Sequence, residues 1–169
     1  LLSGYLYRET AANAEYLFPV GSSDGTLRYR PVILTHENSS STTFSVRMNN
    51  YLADNDAYPL SQKEASITDG NSLFYHAINR TSGNTQADIS IAYLESQDGA
   101  FNGIANWKNT DSQWKALFGI TSGVSTNYNL LSKSNYAFNL NEPFVLVNEN
   151  NTVVIPTAFT PTGNQINDT

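Results

Sequence analysis

Two tryptophans seven residues apart, Trp107 and Trp114, and two acid-bearing turns carry the side chains in this 169-residue sequence best suited to chemistry. An exposed indole stacks on a sugar ring through its apolar face. The Trp spacing fits the two strands of a hairpin turning through Asn109-Thr110-Asp111-Ser112. The pair is therefore read either as a sugar platform, completed by loop tyrosines, or as ordinary sheet-face packing. The turns Asp54-Asn55-Asp56 and Asp69-Gly70-Asn71 offer hard oxygen ligands, of which Ca2+ takes roughly six to eight. Asp54, Asp56 and Asp69 are the calcium candidates, although neither turn has EF-hand spacing, and a solvated Asx-rich loop is the competing reading.

Other reaction chemistry finds little to build on. His36 and His76 have no helical or alternate-residue partner, which makes them ordinary strand histidines rather than a metal pair. No nucleophile-elbow, zinc-protease or phosphate-loop motif occurs. Glycoside hydrolysis needs two carboxyl groups held roughly 5–9 Å apart, but most of the 15 acids fall in expected turns, where Asp commonly caps local backbone. The reading is non-catalytic. There is no cysteine, so a disulfide framework, a thiolate metal site and a cysteine nucleophile are all excluded. Charged residues make up 14% of the chain, against roughly 25% in typical globular proteins. Four Lys and five Arg within a net charge of −6 argue against a nucleic-acid binder, whose affinity rests on neutralising phosphates. Asn, Ser and Thr together supply 55 residues.

The elements that must position these groups are strands. Apolar residues recur with period two, not with the helical 3.6. Phe44, Val46 and Met48 share one face; so do Ala87, Ile89, Ile91 and Tyr93, then Trp114, Ala116 and Phe118, then Tyr136, Phe138 and Leu140. Further strands are expected at residues 3–8, 14–20, 29–35, 73–79, 102–108 and 144–148. Clusters of Gly, Asn, Asp and Ser separate them, at residues 21–25, 38–41, 68–71, 82–84 and 96–99. Asp24-Gly25 is a specific hairpin signal. Residues 49–62 form the longest expected loop, with a short helical turn near 61–65. About nine or ten short strands predict an all-β, antiparallel β-sandwich, immunoglobulin-like or jelly-roll-like. Its expected extent is residues 1–148, followed by a linker at 149–153.

The sequence opens without Met and has no signal peptide. No apolar run approaches the roughly 20 residues that cross a bilayer. It is read as a segment of a longer protein.

The last stretch, Val154-Ile155-Pro156-Thr157-Ala158-Phe159-Thr160-Pro161-Thr162-Gly163-Asn164-Gln165-Ile166-Asn167-Asp168-Thr169, resembles the start of the gliding-motility-associated C-terminal domain. That domain is the type B signal of the type IX secretion system of Bacteroidota. Ile155, Pro156, Ala158, Phe159, Pro161, Gly163, Ile166, Asn167 and Asp168 agree with the family's opening motif; Thr162, Asn164 and Gln165 depart from it. Residues 154–169 are accordingly read as the beginning of a secretion-signal domain. The body is also similar to a β-sandwich module found before such signals, through Phe18-Pro19-Val20-Gly21, Tyr29-Arg30-Pro31 and the Trp hairpin.

The resemblance implies a secreted, cell-surface structural or adhesive module, with large SprB-like gliding adhesins as the leading kin. Its implied partners are the type IX translocon and outer-membrane shuttle or attachment proteins, with surface polysaccharide as a further ligand. A carbohydrate-binding module is the alternative. As a stalk, the module is expected to bear force through terminal strands loaded in shear.

Overall fold

A computed structural model describes residues 4–36 and 38–150. The expectations at residues 154–169, including the nine motif positions, lie outside the described residues. Fourteen strands follow in chain order: β1 (Leu6–Thr10), β2 (Glu15–Phe18), β3 (Gly21–Ser22), β4 (Arg28–Tyr29), β5 (Val32–His36), β6 (Thr42–Asn49), β7 (Ile67–Gly70), β8 (Tyr75–Ser82), β9 (Ala87–Tyr93), β10 (Gly103–Lys108), β11 (Gln113–Ala116), β12 (Ile120–Ser125), β13 (Tyr128–Tyr136) and β14 (Phe144–Glu149). The described helical structure is one 3-10 turn, Ala53–Asp56, and the single-turn helix α1, Glu95–Asp98. The protein is an all-β, antiparallel sandwich, as the alternating pattern requires.

A seven-stranded sheet has the order β1-β6-β8-β14-β10-β11, with β7 also paired to β14. It packs on a five-stranded sheet ordered β12-β13-β9-β5-β2, and β3 and β4 form a separate short ribbon. Alternation decides which side chains meet between the sheets. Phe44, Val46 and Met48 of β6, Ile78 of β8 and Phe144 and Leu146 of β14 point inward. There they meet Val32 and Leu34 of β5, Ile89 and Ile91 of β9 and Leu131 of β13. Each large apolar side chain buried this way contributes about 2 kcal/mol. Aromatic edges lock the seam: Phe138 lies 5.0 Å from Phe44 and 5.1 Å from Tyr136, both edge-to-face.

The turns show why the chain reverses where it does. Gly25 takes φ +68° in the β3–β4 hairpin, as the Asp-Gly pair predicts. Gly83, at φ +77°, ends β8 so close to β6 that a Cβ would sit 2.5 Å from Thr42 Oγ1. No other residue fits both constraints.

Several expectations are corrected. Residues 68–71, read as a turn, mostly belong to β7 (Ile67–Gly70), because β14 offers its ladder to Gly70 and Asp69. Residues 120–136, largely unassigned from sequence, form the β12–β13 hairpin. Of the expected strand at Tyr136–Leu140, only Tyr136 is in a ladder; Phe138 is buried by an extended connection, and Leu140 is exposed. The helical turn falls at Ala53–Asp56 rather than near residues 61–65, where Lys63 instead forms a bridge to Trp114. Glu149 still belongs to β14, and Asn150 N–H donates to Ser66 O, so the sheet reaches into the expected linker.

The directions of the first and last strands also matter. β1 is antiparallel to β6, β6 to β8 and β8 to β14. β1 therefore starts, and β14 finishes, at the same end of the sheet.

Candidate functional site

The outer face of the large sheet is where the sequence-derived site residues converge. Residues 50–66 fold across part of this face and bury it. Trp107 and Trp114 are cross-strand neighbours on β10 and β11, as the spacing predicts. Their rings stand 5.5 Å apart, edge to face. Tyr58 packs against both, at 5.4 and 6.4 Å, and Trp114 Nε1 donates to Tyr58 O. Ala53, Ile67, Tyr75, Val145 and Val147 complete this second core. Trp107 is only 5% exposed and Trp114 1%. Neither offers a ring face to a ligand, so the sugar platform assigned to them is withdrawn: the overlying loop takes the faces a sugar would need.

The calcium candidates have local work instead. Asp54 Oδ1 accepts from Leu60 N at 2.8 Å. Asp56 Oδ2 accepts from the hydroxyls of Tyr51 and Tyr75. Asp69 Oδ1 accepts from Gly70 N. Among the described residues no three acid or His side chains converge on a point that could hold a metal. These are turn-capping and tyrosine-orienting carboxylates, the Asx-loop reading rather than the calcium one.

Beside the loop the outer face opens into a cleft of about 280 Å3, which sequence reasoning missed. Its floor follows one row of the sheet. Arg47 of β6 is the cross-strand neighbour of Ala77 of β8, and Asn49 and Asn79 flank them. Tyr5, together with Tyr58 and Asp56 of the loop, also lines it. The small Ala77 side chain leaves the depression between them.

The polar groups here are held and incompletely paired. Arg47 Nη2 donates to the Tyr51 hydroxyl, and the guanidinium lies 6.0 Å from the Tyr5 ring centre. Arg47 Nε is buried without a hydrogen-bond partner. Asn79 Oδ1 accepts from Asn141 N at 2.9 Å. Asn49 is 3% and Asn79 6% exposed, and Asn49 Oδ1 accepts from the Tyr51 hydroxyl. Burial, followed by the hydrogen bond to Asp56, raises the Tyr75 and Tyr51 hydroxyls above their ordinary titration range. Burial also raises Tyr58. All three stay protonated donors at neutral pH. The arrangement can bind and orient hydroxyl-bearing groups. Among the described lining residues it has one carboxylate, Asp56, where glycoside hydrolysis uses two.

Beneath the sheet lies a second polar group with a structural part. Arg30, 1% exposed, donates through Nε and Nη2 to both oxygens of Asp98 in α1. Its remaining donors reach Gln97 Oε1 and Tyr29 O. His76 Nε2 meets Arg30 O at 2.9 Å, which assigns the proton of the neutral ring to Nε2. Burial drives the His76 pKa down from 6.5 to about 4, with the Arg30 charge acting in the same direction. The unfolded chain therefore binds a proton more readily than the folded one. The stability this contributes is complete above pH 6.5 and is lost as pH falls toward 4. We expect about 3 kcal/mol to disappear across that window. Denaturant unfolding at stepped pH checks this, since His76→Gln should flatten the profile between pH 6.5 and 4.

Comparisons with protein-family models, with curated proteins and with solved structures give no match to this chain. The class defined by fold and site is an antiparallel β-sandwich carrying an outer-face cleft with aromatic walls and an amide-rich floor.

Proposed function

We propose that the chain is a non-catalytic structural or adhesive module of a cell-surface protein exported by the type IX system, with a role in adhesion or gliding. The supporting observation is one of spacing. The central strand β14 ends at Glu149, and the signal-like motif begins within a few residues, at Ile155-Pro156. That order fits a folded module standing immediately before a secretion signal. The polar composition agrees with an extracellular setting, because Asn, Ser and Thr interactions vary little with salt. The translocon and outer-membrane attachment proteins are its expected partners.

The test is made in the full-length protein, in its own cells. Wild type should be accessible to external protease. A variant carrying Phe159→Ala and Pro161→Ala should accumulate inside. Surface display that persists in a strain lacking the type IX translocon would overturn the reading.

A further inference from the structure

We propose that the outer-face cleft between Tyr5 and Tyr58 binds one neutral pyranose unit of a polysaccharide. This goes beyond the export reading and does not depend on it. Three features carry it. The first is unspent hydrogen-bonding capacity: Arg47 Nε is buried without a hydrogen-bond partner among the described residues, and it lines the cleft beside Asn49 and Asn79, each more than nine-tenths buried. A buried donor left without an acceptor is costly, and a ligand oxygen would relieve it.

The second is the mixture of groups. Sugar hydroxyls both donate and accept. The floor supplies donors, and the exposed Asp56, whose contacts with the Tyr51 and Tyr75 hydroxyls both fall on Oδ2, keeps Oδ1 as an acceptor at the wall. Tyr5 and Tyr58 line it with aromatic rings, suited to the C–H face of a pyranose. The third is size and charge. A volume of about 280 Å3 lies near the lower bound of roughly 300 Å3 for small-molecule sites, which matches one ring rather than a long oligosaccharide or a peptide strand. Asp56 and the net charge of −6 disfavour an acidic sugar.

The experiment uses the purified full chain, so export plays no part in its outcome. It is screened on an array of neutral and acidic polysaccharides. The best neutral binder is then titrated, as its methyl glycoside, against wild type, Ala77→Leu, which fills the floor, and Arg47→Gln. The expected result is neutral-glycan binding that weakens by about tenfold or more in both variants, with unchanged unfolding midpoints and with Thr121→Ala on β12 unaffected. Should either variant fail to fold, amide shifts in wild type decide: perturbations centred on Arg47, Ala77 and Asn79 support the site. Perturbations elsewhere, selective binding of acidic glycans, or no neutral binding would overturn it.

Discussion

Asp98→Asn is expected to cost about 3–5 kcal/mol, the range for removing one partner of a buried ion pair. The carboxylate is the counter-ion of an arginine with a side chain 2% exposed, and its own side chain is 0% exposed. It takes a two-point grip on Arg30 and also accepts the Leu94 N–H at 2.8 Å. It thereby ties α1 to the turn entering β5. Arg28 Nε stands 3.5 Å away and adds a second positive charge to the same pocket. An amide keeps the shape but leaves the guanidinium charge uncompensated in a dry site. The penalty measures that abandonment, not the net worth of the pair. The double variant Arg30→Met, Asp98→Leu should accordingly recover much of the loss. Denaturant unfolding of the three proteins makes the comparison. A single-variant loss below about 1 kcal/mol would show that Asp98 does not carry Arg30.

Trp114→Ala is expected to cost a similar 3–5 kcal/mol, but with a different distribution through the molecule. Trp114 is the contact on which residues 50–66 close. Its N–H donates to Gln62 O, its carbonyl accepts from Glu64 N, and its indole N–H reaches Tyr58 O. Truncation opens a void beneath Tyr58 and Leu60 while the core between the sheets is untouched. Hydrogen exchange should therefore quicken across residues 50–66 far more than in β9, since local opening follows local packing. Trp114→Phe, which keeps a ring and loses the indole donor, should cost about 1–2 kcal/mol. Uniform acceleration across both sheets would mean that the loop and the sandwich are a single cooperative unit.

The contrast between these two sites explains what could be read in the sequence. β9 was legible residue by residue, Ala87–Tyr93, because one face is buried and the other half-buried, which is the condition for clean alternation. The Trp hairpin was legible instead from the Trp spacing and the turn residues Asn109-Thr110-Asp111-Ser112, since β10 is buried on both faces. β12 was not, since Thr121 to Ser125 are exposed on both faces and leave no apolar signature. Its turn is also unmarked: Thr126 takes φ +55° with no Asn-Gly or Asp-Gly pair to announce it. Alternation says that a strand has two faces but not what covers each one. Four modest apolar residues in a polar-looking loop, Tyr51, Ala53, Tyr58 and Leu60, were enough to bury both tryptophans. The cleft was hidden for a related reason. Its residues come from Tyr5, β6, the loop, β8 and the connection at Asn141 and Pro143, a span from position 5 to position 143 that only the fold brings together.

The start of β1 and the end of β14 lie at one end of the large sheet, with β6 and β8 between them. Among the described residues the sandwich is thus entered and left two strands apart at that end, so its width across those strands, and not its strand length, would separate whatever is attached there.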